Sequence, residues 1–77
     1  MLEKIKEILS AQLNLDPEDI VENARFREDL GIDSLDLLEL VMGLEEEYSF
    51  EVPQEALEKL NTVGDVVSYL RDNGITE

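Results

Sequence analysis

The sequence predicts an all-α protein, a small helical bundle with three principal helices, one short helix and a long first loop. Apolar residues recur at helical spacing in separate segments, and no segment shows a strand pattern. Residues typical of turns and helix caps lie between those segments: Asp16 with Pro17 in one place, and Thr62 with Asp65 in another. These observations fix the fold class before any functional residue is considered.

The length of the chain limits it to one domain with a modest core. It has 77 residues, of which 43% are hydrophobic and only 5% are aromatic. The sequence contains no internal repeat, no low-complexity segment and no linker. We therefore predict a single domain over residues 1–77.

The absence of cysteine and histidine excludes several kinds of site. Without cysteine there is no disulfide framework and no thiolate zinc site, and without histidine the commonest general base is missing. The first segment, "MLEKIKEILSAQLNL", carries charges at helical spacing instead of the apolar core of a signal peptide. No apolar run is long enough to span a bilayer, so the default expectation is a soluble cytoplasmic protein without membrane insertion.

Charge is the strongest compositional signal. The chain has 20 acidic and 6 basic residues, a formal net charge of −14, and every charged side chain from Glu28 through Glu58 is acidic. Such a field repels nucleic acids and anionic membranes and attracts basic protein surfaces. Charge alone is also compatible with an acidic protein that is merely soluble.

The first helix is predicted from one apolar face and ends near Asn14, before the turn at Asp16 and Pro17. Its face consists of Leu2, Ile5, Ile8, Leu9 and Leu13. The following segment, "DPEDIVENARFREDLGI", has no sustained period and is predicted to be a long ordered loop that begins with a helical turn. The apolar residues predicted to pin it are Ile20, Val21, Phe26, Leu30 and Ile32. Gly31 is expected to permit a positive φ or a close backbone approach, and so long a loop in a small domain is often functional.

The second helix is predicted from Asp33 or Ser34 to about Tyr48. The residues assigned to its core face are Leu37, Leu38, Leu40, Val41, Leu44 and Tyr48. Leu35 and Met42 lie off that face, on one stripe with Glu39 and Glu46. Apolar residues framed by carboxylates suggest a docking surface, although single exposed apolar residues are common in any protein.

The last third of the chain predicts two more helices. After Pro53, "QEALEKL" is expected to form the short helix, with Ala56, Leu57 and Leu60 available for burial. Thr62 and Asp65 have the spacing of a capping box at the start of the final helix, and Gly74 follows its end. Its apolar face consists of Val63, Val66, Val67 and Leu70.

The chemistry of the sequence argues against an enzyme. Ser34 has no histidine base, and "GIDSL" is not the G-x-S-x-G pattern of a serine nucleophile. Neither Asp16 nor Asp29 begins the ligand pattern of an EF-hand, so no specific metal site is predicted. Ser34 does lie where a helix start favours a bound anion. Serine is also a common helix-start residue, and Asp33 could equally be the cap, so both interpretations remain open.

The stretch "DLGIDSLDLLELVMGLEEEYSFEVP" resembles the signature region of acyl carrier proteins, above all the freestanding carriers of bacterial and organellar (type II) fatty acid synthesis. The resemblance extends over nearly the whole chain. It implies that Ser34 carries a covalent phosphopantetheine, derived from coenzyme A, and that Asp33 supports the modifying transferase and its magnesium. It also implies that partner enzymes bind Leu35, Asp36, Glu39, Met42, Glu45 and Glu46. Gly43 departs from the family, which more often has alanine at this position.

By this resemblance the protein is a carrier, with no catalytic residue of its own. The thiol of its prosthetic group would hold acyl chains as thioesters. Its expected partners are a phosphopantetheinyl transferase and fatty acid synthesis enzymes with basic docking patches, and the carrier itself is expected to be a monomer. Between encounters the acyl chain would enter an interior lined by Leu40, Leu44, Ala56, Leu57 and Leu60. The alternatives are a carrier of polyketide or other specialised cargo and, in a different class, an unmodified acidic interaction module.

Overall fold

Four α-helices and one 3₁₀ turn make up the computed structural model, which describes residues 2–75. The helices are α1 (Leu2–Leu13), α2 (Ser34–Tyr48), α3 (Gln54–Leu57) and α4 (Val63–Asp72), and the 3₁₀ turn is Pro17–Asp19. The prediction of an all-α bundle with three principal helices, one short helix and a long first loop is confirmed. The bounds 1 and 77 of the predicted domain lie outside the described residues, so the single domain stays a prediction.

Helix α1 has the predicted face and ends where the sequence predicts. Ile5 and Leu9 are fully buried, and Leu2, Ile8 and Leu13 pack at the edge of the same core. The helix ends at a left-handed residue, Asn14, which has a φ of 59°. The backbone N–H of Asn14 donates to the Ser10 carbonyl at 3.0 Å, which satisfies one of the carbonyls left over at the helix end.

The long connection is ordered, as predicted, but one of its apolar residues is exposed. Asp16 caps the 3₁₀ turn by accepting the Glu18 N–H at 3.0 Å. Ile20, Phe26, Leu30 and Ile32 are buried, whereas Val21 is 44% exposed, so its predicted burial is wrong. A turn closed by the Ala24 N–H on the Val21 carbonyl directs Ile20 and Ala24 inward and leaves the Val21 side chain outside.

Backbone hydrogen bonds dock this connection against the start of α4. They run from the Phe26 N–H to the Asn61 carbonyl (2.9 Å), from the Val63 N–H to the Ala24 carbonyl (3.0 Å) and from the Gly64 N–H to the Glu22 carbonyl (2.7 Å). Beyond them, the Ile32 N–H closes back on the Phe26 carbonyl at 2.7 Å. The connection thus finds partners for its polar backbone groups without forming a helix.

Helix α2 begins and ends where the sequence predicts. Leu40, Val41 and Leu44 are buried. Leu38 is 39% exposed, so its assignment to the core face is wrong. The reason is geometric: each residue turns the helix by roughly 100°, which puts Leu38 at the margin between the buried face and the outer stripe.

The last two helices differ in how well the sequence predicts them. Helix α3 ends at Leu57, earlier than the predicted segment 54–60, because the Lys59 and Leu60 N–H groups bond only three residues back. Leu60 is nevertheless buried. Helix α4 has the predicted capping box: the Asp65 N–H donates to Thr62 Oγ1 at 3.1 Å, and the Thr62 N–H donates to Asp65 Oδ2 at 3.0 Å.

The core is formed by buried apolar residues of α1, α2, α4 and the connections between the helices, and no charged or polar residue is buried among residues 2–75. No helix within that range combines the length and the apolar character that crossing a bilayer would require. Burial of apolar surface therefore supplies most of the stability, and the charges remain at the surface.

Two glycines give a matched test of the packing. A Cβ added at Gly43 would lie 3.6 Å from Ile8 Cδ1, an ordinary contact, so Gly43→Ala should stabilise the protein by about 1 kcal/mol through helix propensity. A Cβ at Gly64 would lie 2.9 Å from the Glu22 carbonyl oxygen, so Gly64→Ala should destabilise it by about 1–3 kcal/mol. Urea unfolding of both variants would measure this. Changes of the same sign would contradict the packing described here.

Candidate functional site

Ser34 is the first residue of α2 and is exposed. The capping position before it belongs to Asp33, whose Oδ1 accepts the Asp36 N–H at 2.9 Å. The Asp33 carbonyl also accepts the Leu37 N–H at 3.0 Å. Asp33 is therefore the residue that starts the helix, and the Ser34 hydroxyl is not required as its cap.

The Ser34 hydroxyl has a different partner, which sequence reasoning missed. Arg27 Nη2 donates a hydrogen bond to Ser34 Oγ at 2.8 Å. Arg27 is exposed and lies on the long connection, seven residues before the serine. One sequence signal could have indicated it: Arg27 is the last basic residue before the acidic stretch from Glu28 to Glu58.

A second arginine fixes the turn that carries Arg27. The Arg25 side chain donates to Asp29 through Nε (3.2 Å) and Nη2 (3.3 Å), and the Arg25 backbone N–H donates to the same carboxylate at 2.8 Å. In return the Asp29 N–H donates to the Arg25 carbonyl at 3.0 Å, and Glu28 lies 3.5 Å from the guanidinium. The side-chain hydrogen bonds from Arg25, followed by its backbone N–H, hold the pKa of the Asp29 carboxyl below its ordinary value.

A cleft of about 560 Å³ opens beside Ser34. Its apolar lining comes from three parts of the chain and consists of Phe26, Ile32, Leu37, Leu57 and Leu60. Arg27 and Ser34 belong to its polar lining, together with Asp33 and Glu58. The cleft therefore combines an apolar wall with an exposed hydroxyl and a guanidinium.

The residues predicted to surround an acyl chain do not all meet at this cleft. Leu57 and Leu60 line it. Leu40 and Leu44 are fully buried and do not line it, and Ala56 lies instead against a separate groove between α3 and α4. The structure adds Phe26, Ile32 and Leu37 in their place.

The outer surface of α2 carries most of the residues predicted to bind partners. Leu35 is 63% exposed and Met42 is 54% exposed, and Glu39 and Glu46 are exposed on the same side. The exposed edge of Leu38 widens this apolar stripe. These residues thus lie together at the surface, and their role in binding stays a prediction.

Two further residues of that set also make contacts within the protein. The half-buried Glu45 accepts the Val52 N–H on its carboxylate at 2.7 Å and so anchors the chain after α2. The Asp36 carbonyl accepts a hydrogen bond from the Gln12 side chain of α1 at 3.1 Å. Substitution of Glu45 would therefore disturb the fold as well as any docking surface.

The sequence is similar to those of known proteins. Residues 3–70 match the family model described as the phosphopantetheine attachment site. An acyl carrier protein of Wolinella succinogenes is 52% identical over 73 residues, covering 95% of this chain and 96% of the relative. Acyl carrier proteins of Zymomonas mobilis (49% identity; 92% of this chain and 91% of the relative) and Thermosynechococcus vestitus (51%; 94% and 89%) are similar over comparable lengths.

The hydrogen-bonded ion pair between Arg25 and Asp29 predicts how the stability of the fold depends on pH. Because the pKa of Asp29 is lower in the folded state than its ordinary 3.8, the pair stabilises the fold above that pH. This contribution is lost as the pH falls through the lowered pKa. An NMR titration of the Asp29 carboxyl should give a midpoint below 3.8, and Arg25→Gln should raise it.

Arg27→Gln is the matched control, because Arg27 lies on the same turn but does not contact Asp29 in the described hydrogen bonds and ion pairs. It should leave the Asp29 midpoint unchanged. An equal shift in both variants would mean that general charge, and not the hydrogen bonds of Arg25, sets the pKa of Asp29.

Proposed function

The chain belongs to the acyl carrier protein family, and on that premise we propose that Ser34 receives phosphopantetheine from coenzyme A through a phosphodiester bond. The Ser34 oxygen bonds to the phosphorus on the pantetheine side, the pyrophosphate bond of coenzyme A breaks, adenosine 3′,5′-bisphosphate leaves and the hydroxyl proton is released. When bound, the group supplies a terminal thiol that holds acyl chains as thioesters. The chain is a carrier and not an enzyme, so its own residues provide attachment, shelter and recognition.

The observation that carries this proposal is the state of the Ser34 hydroxyl. It is exposed at a helix start, the cap is supplied by Asp33, and the cleft opens beside it. The unpaired N–H groups and the positive end of the helix dipole favour a phosphate on this oxygen. The residues present therefore fit the group that the family carries.

Asp33 has a proposed role in the attachment reaction. Its carboxylate is exposed next to Ser34 and uses one oxygen, Oδ1, for the helix cap. Carboxylate oxygens are the ligands that Mg²⁺ prefers. We propose that Asp33 supports the magnesium of the phosphopantetheinyl transferase while that enzyme modifies Ser34.

Synthesis enzymes that exchange acyl groups with this carrier are proposed to bind the outer surface of α2. Apolar Leu35 and Met42 would fill shallow pockets, and the carboxylates around them would meet basic patches. The proposed acidic set is Asp36, Glu39, Glu45 and Glu46. Exposed complementary charge raises association rates more than affinity, which suits a carrier that visits many enzymes. We also propose that the carrier serves fatty acid synthesis, that it is a monomer and that it lies in the cytoplasm.

Intact mass tests the attachment. After incubation with coenzyme A, magnesium and a broad-specificity phosphopantetheinyl transferase, the parent should gain one phosphopantetheine and Ser34→Ala none. Ser68→Ala, which removes an exposed serine from α4, is the control and should gain the group like the parent. A folded parent without a mass gain would overturn the proposal and favour an unmodified acidic interaction module.

The cleft beside Ser34 is the proposed shelter for the acyl chain. Each buried methylene is worth about 0.8 kcal/mol, so a long acyl chain in the cleft should raise the unfolding midpoint by at least about 4 °C over the thiol form. The NMR signals of Leu57 and Leu60 should move, whereas those of the exposed Val21 should not. An unchanged midpoint and unchanged leucine signals would exclude the cleft as the shelter.

A further inference from the structure

We propose that Arg27 is a positioning residue for the prosthetic group, whose guanidinium pairs with the phosphodiester on Ser34 and keeps the arm at the cleft. This inference rests on the proposed attachment at Ser34. Arg27 belongs to the long connection and precedes the stretch from Asp29 to Pro53 that resembles the signature region of the family.

The geometry at Ser34 carries the argument. Arg27 Nη2 already donates to Ser34 Oγ at 2.8 Å. In the modified protein, phosphorus is bonded to that same oxygen, and its two non-bridging oxygens, which share one negative charge, lie one bond further out. The esterified Oγ is a poorer acceptor than those oxygens, so the guanidinium turns its donors to them. Arginine has five N–H donors in a planar fork, and such forks match the oxygens of phosphate groups.

Of the two basic residues that line the cleft, Arg27 is the one placed to pair with the phosphodiester. Arg25 is the other basic residue of the cleft lining, and its guanidinium is bound to Asp29 and lies close to Glu28. Among the ion pairs formed within residues 2–75, none includes Arg27. Its described side-chain hydrogen bond is the one to Ser34.

The negative charge around Ser34 favours pairing between Arg27 and the phosphodiester. Asp33 precedes Ser34 and Asp36 follows it by two residues, and every charged residue from Glu28 to Glu58 is acidic. Phosphopantetheine adds another negative charge at this place. The guanidinium of Arg27 offsets the resulting repulsion, together with the N–H groups at the start of α2.

The test compares the parent with Arg27→Gln, Arg27→Lys and a control, Arg71→Gln, which removes one positive charge from the exposed last turn of α4. Intact mass first establishes complete modification of each. The ³¹P NMR signal of the modified protein should move in Arg27→Gln, remain in place in Arg71→Gln and return part of the way in Arg27→Lys. Lysine keeps the charge but lacks the fork.

A second readout is the effect of modification on folding, measured by urea unfolding of the unmodified and modified forms. For each protein, the folding equilibrium constant of the modified form is divided by that of the unmodified form. This ratio should be about two- to fivefold larger in the parent than in Arg27→Gln, as expected for an exposed charge pair. High salt should reduce this difference because it screens exposed charges. The Arg71→Gln control should behave like the parent in the comparison.

The outcomes separate the two proposals. If no form gains mass although all are folded, the attachment at Ser34 is overturned and this inference with it. If all forms are modified but Arg27→Gln gives the parent's ³¹P signal and the parent's effect of modification, the inference alone is overturned. The inference is also overturned if Arg27→Gln lowers the stability of both forms equally and leaves the ³¹P signal in place.

Discussion

The backbone pairing between the long connection and the start of α4 is the constraint on which the site depends. Three hydrogen bonds join residues 22–26 to residues 61–64, and the shortest, at 2.7 Å, needs the absence of a side chain at Gly64. This pairing brings Phe26 and Thr62 to the same wall of the cleft. It also sets the turn from which Arg27 reaches Ser34. A connection that is mostly outside the helices thereby becomes part of the site.

Among residues 2–75, the charged residues lie at the surface, whereas the residues that stabilise the fold lie in the apolar core. The core within residues 2–75 contains no buried charged residue, although the chain has a net charge of −14. Exposed ion pairs add little to stability, so the apolar core has to offset the repulsion among the carboxylates. The acidic outer face of α2 thus has a cost to folding. Arg25 and Arg27 are the exceptions near the site, where one fixes a turn and the other contacts the serine.

The sequence predicts this fold well where local chemistry decides the structure. The bounds of α1 and α2 follow from apolar periodicity and caps, and the capping box of Thr62 and Asp65 starts α4 as expected. Burial is predicted wrongly at Val21, where a turn directs the side chain outward, and at Leu38, which lies at the margin of the buried face of α2. The motif predicts Ser34 as the attachment residue, and this stays a prediction. The contact of Arg27 with Ser34 is not predicted, because a contact across a folded loop leaves no periodic trace in the sequence. The same reason explains why Phe26 and Ile32 were expected to be buried but not to line the cleft.

The cap of α2 is Asp33 and not Ser34, so the modification proposed at Ser34 would not remove the cap of the longest described helix. A helix cap is worth about 1 kcal/mol, and esterification of a capping hydroxyl would put that contribution at risk. Here the carboxylate of Asp33 holds the Asp36 N–H, so a change at Ser34 Oγ leaves the start of α2 intact. The hydrogen bond that modification disturbs is the one from Arg27, and that donor can turn to the new phosphate oxygens. If Ser34 is modified as proposed, the unmodified and modified proteins would therefore share one fold and differ mainly at the mouth of the cleft.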